Sequence, residues 1–232
     1  MNHENNLSIW NDYYKNIRRQ RHCDLLFLTL LYRSAGLVLS KIDGQSALVI
    51  GAGDGAEAFE LCRIGYNVLA TDISENAISR IEQFNQKEEH FSNLKTKVID
   101  QRELKNINKK FNIVISWSTL SYLPYNELQA VVDSISVLLK DENSCAILLF
   151  EDKRSNLYLQ QGAENTSNNR YKLPNTSKVN PGLEMTFLNE LEIREILFSN
   201  FTVLASTYRE VHLPPSHELI ISQSIYVVRR KM

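Results

Sequence analysis

Cysteine is scarce in this sequence, with three residues among 232, and no two of them form a CxxC pair. Cys23, Cys62 and Cys145 are far apart and odd in number. The sequence therefore indicates neither a disulfide framework nor a structural zinc site. We expect a protein of the reducing cytoplasm that holds no metal.

Long hydrophobic runs and an excess of charge of one sign are also missing. The most apolar early run, 25–31, is interrupted by Thr29 and is far shorter than the ~20 residues of a membrane helix. The polar start MNHENN lacks the basic region of a secretion signal. Lys and Arg total 26 against 27 Asp and Glu, so no global field attracts nucleic acid or an anionic membrane. We expect a soluble protein that binds charged partners only locally.

The composition is that of a globular protein, with 43% hydrophobic and 23% charged residues. This balance excludes collagen-like, coiled-coil and wholly disordered chains. The length is more than one typical domain of ~100–150 residues needs and less than two would fill, so we predict one domain with additions.

The first forty residues have a helical pattern. Trp10, Tyr13, Tyr14 and Ile17 follow the i, i+3, i+4, i+7 spacing of an amphipathic helix. A second, mainly apolar helix is predicted from about Cys23 to Leu39, and both helices form an N-terminal cap over residues 1–44.

From residue 45 onward, short apolar runs alternate with helical stretches. The predicted strands are 46–53, 67–73, 95–100, 111–117, 145–150, 201–209 and 223–230, and the helices between them are 56–65, a stripe from Ala77 to Phe84, 126–140 and 189–198. This alternation predicts a parallel sheet covered by helices on both faces. The last two strands are close in sequence and should pair antiparallel. Residues 151–187 break the pattern and are predicted to be a long loop or small insertion.

A glycine-rich turn joins the first strand to the first of these helices, in the sequence VIGAGDGAEAF. Gly51, Gly53 and Gly55 permit positive φ and let a ligand approach the backbone beside a helix N-terminus. Asp72 ends the second strand 21 residues after Gly51, where a carboxylate accepts hydrogen bonds from ribose hydroxyls. Asp100 ends the third strand at the same edge, within reach of a purine amino group. Three successive strand ends therefore indicate one nucleoside.

These motifs resemble, in order and spacing, those of the class I S-adenosylmethionine-dependent methyltransferases. The resemblance rests on Gly51–Gly55, TDIS (71–74), VID (98–100) and FNIVISWSTLSYLP (111–124). It implies an α/β, Rossmann-like, doubly wound sheet of seven strands whose last strand is antiparallel. On that basis we predict a methyltransferase domain over residues 45–232, with 151–187 as a substrate-loop insertion.

The resemblance also implies S-adenosylmethionine as cofactor and S-adenosylhomocysteine as product. The positions it assigns to the cofactor are Gly51, Ala52, Gly53, Gly55, Asp72, Ile73, Asp100, Gln101, Ser116 and Trp117. The glycines would skirt the methionine part, Asp72 would bind the ribose, and Asp100 with Gln101 would flank the adenine. Many small-molecule members carry a histidine where this chain has Tyr122, so that motif supplies no general base.

Two other functions fit parts of the pattern. Gly51-x-Gly53-x-x-Ala56 also satisfies the relaxed fingerprint of a dinucleotide-dependent oxidoreductase. Against it, the fingerprint follows some 45 residues of helix, no catalytic domain comes after it, and no tyrosine has a lysine four positions on. A member of the fold that binds but does not catalyse is the third possibility.

The acceptor is predicted to be a small molecule, with no nucleic acid or membrane as partner. Strand four ends in Ser116-Trp117-Ser118-Thr119 rather than the Pro-Pro-aromatic ending of DNA-amine methyltransferases, and no cysteine follows a proline, as cytosine C5 chemistry requires. The compact build, the aromatic segment WNDYY and the insertion resemble bacterial methyltransferases of sugars and nucleotide-linked sugars. The sequence leaves the acceptor atom and the oligomeric state open.

Acceptor contacts are expected from the segments that follow the last parallel strands and from the N-terminal helix. This helix either only packs on the core or closes as a lid, with Tyr14 on the cofactor, Tyr13 on the acceptor and Arg18 near an anionic group. Tyr122 and Arg154 are further candidates for acceptor contacts, Arg154 through a phosphate or carboxylate.

A hydroxyl acceptor would need a general base within about 2.6–3.2 Å. His212 and His217 flank the Pro214-Pro215 loop near the ligand edge, and Asp152 follows strand five. We predict the base among these three.

Overall fold

The computed structural model describes residues 2–16, 22–33, 44–214 and 218–231. The strands in this part of the chain are β1 (Ser46–Ile50), β2 (Asn67–Asp72), β3 (Leu94–Val98), β4 (Ile113–Ser116), β5 (Cys145–Glu151), β6 (Glu164–Ser167), β7 (Arg170–Lys172), β8 (Glu184–Thr186), β9 (Phe201–Leu213) and β10 (Leu219–Arg230). The α-helices are α1 (Asn2–Asn16), α2 (Leu25–Arg33), α3 (Ala56–Arg63), α4 (Glu75–Phe84), α5 (Tyr125–Leu138) and α6 (Glu190–Phe198).

The main sheet has seven strands in the order β3-β2-β1-β4-β5-β10-β9. Strands β1 to β5 pair in parallel. Strand β10 lies between β5 and β9 and is antiparallel to both. The prediction of a Rossmann-like seven-stranded sheet whose last strand inserts antiparallel is therefore confirmed.

The central strands are continuous apolar runs because the sheet is covered on both faces. Successive side chains of a strand point to opposite faces, so Val49 of β1 packs in one core cluster and Leu48 in another. The first cluster includes residues of α2, α3 and α4, and the second includes residues of α5 and α6. Both layers of helices predicted from the sequence are present.

The helix ends follow the signals in the sequence. At the start of α6, Asn189 accepts a hydrogen bond from the Glu192 amide (3.0 Å) and Glu192 accepts one from the Asn189 amide (2.8 Å). This is the predicted capping box. Across the described residues, no helix is long and apolar enough to cross a membrane.

The two N-terminal helices have different environments. Helix α2 is buried as predicted, with Phe27 and Leu31 fully covered in the first core cluster. Helix α1 instead lies across one edge of the domain, where it contacts α4. Ile17 and Arg18 lie outside the described residues, as do 34–43.

Residues 151–187 form a small insertion with a sheet of their own. Strands β6, β7 and β8 make an antiparallel three-stranded sheet, and beneath it Leu157, Leu173, Leu183, Met185 and Phe187 form a third hydrophobic cluster. A buried ion pair joins Arg170 of β7 to Glu184 of β8 at 2.9 Å. The insertion is thus an ordered wall rather than a structureless loop.

Candidate active site

A cavity of about 1120 Å³ opens along the carboxyl edge of the parallel strands. Helix α1 forms its roof, residues that follow β1 to β5 form its floor, and the small sheet closes its far side. Ligands of open parallel sheets bind at this edge. Because a pocket for one small ligand has a volume of ~300–1,000 Å³, this cavity has room for two molecules side by side.

The glycine turn after β1 borders the cavity at Gly51 and Gly53. Both are in the left-handed region, with φ of +63° and +57°, which other residues rarely adopt. A Cβ atom on Gly53 would lie 2.5 Å from the hydroxyl oxygen of Tyr14. Glycine at this position therefore lets helix α1 approach the turn, and Tyr14 also lines the cavity, as predicted for a cofactor contact.

Asp72, at the end of β2, lines the cavity together with Ile73. One of its carboxylate oxygens accepts a hydrogen bond from the Gly53 amide and the other from the Ser74 amide, both at 2.9 Å. Burial raises the pKa of Asp72, while the backbone N–H groups of Ser74, Gly53 and Ile73 oppose that rise. These bonds fix the carboxylate in one orientation, and its remaining lone pairs can accept hydrogen bonds from a ligand.

Asp100 and Gln101 follow β3 and also line the cavity. Asp100 is paired with Arg102 at 3.2 Å. The side-chain nitrogen of Gln101 donates to the backbone carbonyl of Thr119 at 3.2 Å. The side-chain oxygen of Gln101 is buried and has no hydrogen-bond partner in the described part of the chain. An unpaired buried acceptor is costly, and a donor on a ligand would satisfy it.

Three residues predicted to bind the cofactor lie outside the cavity lining. Ala52 and Ser116 are buried in the protein. Gly55 is the N-cap residue of α3, and a Cβ atom there would lie 2.9 Å from the ring of Phe59. The structure therefore gives Gly55 a packing role.

The segment after β4 forms the wall beside the glycine turn. Trp117, Ser118, Thr119 and Tyr122 line the cavity. Ser118 has a φ of +59°, a strained conformation for a residue other than glycine and one that clusters at functional sites. Trp117 and Tyr122 therefore line the cavity, and their contacts with cofactor and acceptor stay predictions.

Four aromatic rings form a connected cluster, three of them on helix α1 and the fourth, Tyr122, on the wall after β4. Trp10 stacks on Tyr14 with ring centroids 5.8 Å apart and meets Tyr13 and Tyr122 edge-to-face at 5.7 and 5.1 Å. All four line the cavity. Helix α1 thus does not merely pack on the core: its aromatic stripe closes the cavity.

The far part of the cavity is apolar. Seven of its lining residues belong to or pack against the third hydrophobic cluster, and we call this region the apolar chamber: Ile9, Trp10, Tyr122, Leu157, Val179, Leu183 and Ile221. They come from α1, from the segment after β4, from the insertion and from β10. The chamber exists only because these four elements meet at the sheet edge.

Glu151 is the residue that the sequence analysis missed. It is the last residue of β5, lines the cavity and is 3% exposed. One carboxylate oxygen accepts a hydrogen bond from Gln223 at 2.6 Å, and the other, Oε2, has no hydrogen-bond partner among the described residues. Burial raises the pKa of Glu151 to about 7, although the Gln223 hydrogen bond and the charge of Arg209 lower it.

A chain of polar contacts holds Glu151 from behind. Gln223 lies opposite Glu151 on the neighbouring strand, and its side-chain oxygen accepts a hydrogen bond from Arg209 Nε at 2.7 Å. Arg209 also forms an ion pair with Asp24 and lies over the ring of Trp117 at 5.7 Å. Arg209 therefore fixes which end of the Gln223 amide faces Glu151.

Asp152, predicted as a base, lies outside the cavity lining. It accepts hydrogen bonds from Arg154 at 2.8 and 2.9 Å and from Ser224 at 2.6 Å. Although burial acts to raise it, these hydrogen bonds lower the pKa of Asp152 below its usual value. Arg154 is held by this pair and by the ring of Tyr208, so the structure does not bring either residue to the site.

Of the two predicted histidines, His212 lies in the described residues, and it is not brought to the cavity. His212 is exposed on β9, 4.0 Å from Glu210, and does not line the cavity. His217 and Arg18 lie outside the described residues. In the described segments, no group of three or more His, Cys, Asp or Glu side chains is arranged to hold a metal ion.

Comparison with known proteins agrees with this geometry. A family model described as a methyltransferase domain matches residues 48–145, the segment from β1 to the start of β5. No curated protein sequence matches the chain. Among solved structures, magnesium protoporphyrin IX methyltransferase of Synechocystis with bound S-adenosylhomocysteine is similar, with 18% identity, a TM-score of 0.65 and coverage of 96% of this chain and 97% of the other. An S-adenosylmethionine-dependent methyltransferase of Clostridium acetobutylicum has 18% identity, a TM-score of 0.63 and 96% coverage of both chains.

Residues 48–145 thus match a methyltransferase domain, and the chain has the fold of S-adenosylmethionine-dependent methyltransferases. A protein of Pyrococcus horikoshii has the same fold at 18% identity and a TM-score of 0.68, and the match covers 95% of this chain and 99% of that one. The carboxyl edge of the sheet of this fold holds the cavity described above.

Proposed function

We propose that this methyltransferase transfers the methyl group of S-adenosylmethionine to a protic nucleophile of a small molecule, with Glu151 as the general base. One observation carries the proposal: a single cavity joins the strand ends of β1, β2 and β3 to the buried carboxylate of Glu151 at the end of β5, one oxygen of which has no partner in the described part of the chain. The ends of β1, β2 and β3 suit a nucleoside. The carboxylate at the end of β5 suits the role of proton acceptor.

The residues near β1 to β3 fit the cofactor. Asp72 presents a fixed carboxylate for the ribose hydroxyls, and Gln101 presents a buried, unpaired oxygen for the adenine amino group. The turn at Gly51 and Gly53 admits the methionine part, with Tyr14 across from it. For Gly51, Gly53 and Asp72 these are the roles that the family resemblance implies, and for Gln101 it implies a place beside the adenine.

The chemistry needs alignment, a dry site and a proton acceptor. S-adenosylmethionine supplies a methyl carbon whose bond to sulfur breaks as the acceptor's bond to that carbon forms, and the electron pair stays on sulfur in S-adenosylhomocysteine. The proton of the acceptor goes to Glu151 Oε2 and then to solvent. A base with a pKa near the working pH is the most effective, and the pKa of Glu151 is about 7.

A small acceptor fits the enclosure of the site. Helix α1 covers the cavity, and the ring of Trp10 is within contact distance of Tyr122 on the opposite wall. A polymer would have to displace this roof, whereas a small molecule is held beneath it.

The proposal is tested first by the binding of S-adenosylhomocysteine. Isothermal titration should show binding to the wild-type protein and at least tenfold weaker binding to Asp72→Ala, because charge-assisted hydrogen bonds contribute ~1.5–3 kcal/mol. Glu75→Ala is the matched control, since Glu75 is an exposed carboxylate three residues further on and outside the cavity. Equal binding by Asp72→Ala and Glu75→Ala would contradict the cofactor site.

The second test separates binding from catalysis. Glu151→Gln should bind S-adenosylhomocysteine within about twofold of wild type, yet transfer labelled methyl groups to the small-molecule fraction of a cell extract 10²–10⁴-fold more slowly, as expected for loss of a general base. Transfer at the wild-type rate by Glu151→Gln would show that the base lies elsewhere.

A further inference from the structure

Two of the polar side chains that line the cavity beside the apolar chamber, Arg170 and Asn6, are bound within the protein. The Arg170 guanidinium donates to Glu184 at 2.9 Å, to Thr186 at 3.4 Å and to the carbonyl of Tyr122 at 3.1 Å. Asn6 exchanges two hydrogen bonds with the backbone of Glu184. Each of these groups is therefore occupied within the protein.

The surfaces between these groups are aliphatic and aromatic. Ile9, Val179 and Ile221 are partly exposed and line the cavity, and Leu157 and Leu183 form the fully buried layer behind them. Trp10 adds a flat ring from the roof. An apolar ligand would be stabilised here by about 25 cal/mol for each Å² of apolar surface that it buries.

A sugar fits this chamber poorly. Each hydroxyl that loses water without gaining a hydrogen-bond partner weakens binding, and a sugar carries several hydroxyls. Glu151 lines the same cavity, and its Oε2 has no hydrogen-bond partner among the residues that the structure describes. It can satisfy one hydroxyl but not a ring of them.

We infer that the acceptor is a flat, mainly apolar molecule of aromatic type that presents one ionisable hydroxyl to Glu151. This inference rests on the proposed function and replaces the sugar expected from the sequence. In the step, the oxygen–methyl bond forms as the sulfur–methyl bond breaks, and the hydroxyl proton moves to Glu151.

The acidity of a phenol matches the base. A phenolic hydroxyl has a pKa near 10, about three units above the value of about 7 for Glu151. A sugar hydroxyl is a much weaker acid, so the same carboxylate would remove its proton far less readily. The apolar walls and the weak base therefore select the same kind of acceptor.

The test uses 2-naphthol as the probe, with glucose and UDP-glucose as polar comparisons. Titration of each into the protein saturated with S-adenosylhomocysteine should show binding of 2-naphthol at least tenfold tighter than that of either sugar. With S-adenosylmethionine present, mass spectrometry should detect 2-methoxynaphthalene, and Glu151→Gln should form at least 100-fold less of it. The binding readout does not depend on turnover.

A pair of variants locates the probe. Ile221→Asn places a polar group in the chamber and should weaken 2-naphthol binding at least tenfold while S-adenosylhomocysteine binding stays within twofold, which also shows that the variant is folded. Val211→Asn is the control, because Val211 is directly opposite Ile221 on β9 but exposed and outside the cavity. It should leave both affinities unchanged.

The outcomes separate the two proposals. If S-adenosylhomocysteine binds and 2-naphthol does not, or if a sugar binds more tightly than 2-naphthol, the inference is overturned and the proposed function stands. If S-adenosylhomocysteine itself fails to bind, both are overturned. Equal effects of Ile221→Asn and Val211→Asn would also overturn the inference, since the probe would then lie outside the chamber.

Discussion

Asn6 of helix α1 binds the backbone of Glu184 in β8 as a neighbouring strand would. Its side-chain nitrogen donates to the Glu184 carbonyl at 3.3 Å, and its side-chain oxygen accepts from the Glu184 amide at 3.2 Å. Further along α1, the Asn11 side chain accepts a hydrogen bond from Ser74 at 2.6 Å and its carbonyl accepts one from Asn76 at 3.0 Å. The roof of the cavity is thus fastened to the insertion on one side and to α4 on the other.

Asn6→Ala should loosen this roof. Loss of two hydrogen bonds of ~0.5–1.5 kcal/mol each is expected to speed amide hydrogen exchange in residues 7–16 about tenfold or more and to weaken S-adenosylhomocysteine binding severalfold. Hydrogen-exchange mass spectrometry with and without S-adenosylhomocysteine measures both effects.

Lys15→Ala provides the comparison on the same helix, because Lys15 is exposed and does not line the cavity. It should leave exchange and affinity close to wild type. Exchange in Asn6→Ala that matches Lys15→Ala would mean that the aromatic cluster alone holds α1 in place.

The main sheet could be read from the sequence because its central strands are buried on both faces. The uninterrupted apolar run CAILLF therefore gave β5 to within one residue of its observed end at Glu151. The small sheet was missed for the opposite reason: β6 is exposed along its whole length and β7 and β8 have three residues each. Such strands carry no hydrophobic period to detect.

Part of the candidate site was predictable from the sequence, namely Asp72 and Asp100, whereas Glu151 was not. Asp72 and Asp100 stand at strand ends that follow an evident glycine turn, and both line the cavity. Glu151 and Asp152 are adjacent, so their side chains point to opposite faces of the sheet, and the sequence does not show which face holds the ligand. The structure places Glu151 on the cavity and Asp152 against Arg154.

The contact between Gly53 and Tyr14 gives a second prediction. Gly53→Ala should destabilise the protein, because its Cβ would lie 2.5 Å from the Tyr14 hydroxyl oxygen and its φ of +57° is strained for alanine. Tyr14→Phe removes that oxygen, and the next atom is 3.3 Å away. Urea unfolding should therefore show that Tyr14→Phe costs less stability in the Gly53→Ala background than in the wild type.

Gly162→Ala isolates the backbone part of this effect. Gly162 has a φ of +85°, and its nearest neighbour, a carbon of Pro174, would be 3.5 Å from the new Cβ. Gly162→Ala should lower the free energy of unfolding by the ~1–2 kcal/mol that an alanine in the left-handed region costs. Its effect should be the same with and without Tyr14→Phe. If the effects of Gly53→Ala and Tyr14→Phe on the free energy of unfolding simply add, Tyr14 does not contact the turn at Gly53.

A third prediction is that the buried carboxyl group of Glu151 destabilises the folded protein at high pH. Its pKa rises from the ordinary 4.5 to about 7 because it is buried. Between these values the folded protein binds the proton and the unfolded chain does not, so unfolding becomes easier as the pH rises through this window. Above pH 7 the folded protein carries a buried charge with an unpartnered oxygen.

Glu151→Gln removes that charge with little change of shape. Its melting temperature should exceed that of the wild type at pH 8 by on the order of 5 °C, since 1 kcal/mol shifts a domain of this size by about 2–4 °C. The difference should shrink toward pH 5. Calorimetry at both pH values measures the difference. A Glu151→Gln protein less stable than wild type at pH 8 would contradict the raised pKa of the buried Glu151 carboxyl group.

The last prediction follows from the position of Arg209 behind Gln223. Arg209 lowers the pKa of Glu151 by its charge, whereas the nearby Asp152 raises it. It also keeps the Gln223 oxygen turned toward itself and the Gln223 nitrogen toward Glu151. Without the guanidinium, the amide is free to rotate and present an oxygen to the carboxylate, which disfavours the charged form of Glu151.

Arg209→Met should therefore raise the pKa of Glu151 further above about 7, as measured by ¹³C NMR titration of the labelled carboxyl. Arg209→Lys keeps the charge and should produce a smaller rise. Arg154→Met is the control, because Arg154 is bound to Asp152 outside the cavity, and it should change the Glu151 titration less than Arg209→Met does. If Arg209→Met leaves the titration unchanged, Arg209 supports Trp117 and Asp24 only, and the carboxylate is set by its burial and by Gln223 alone.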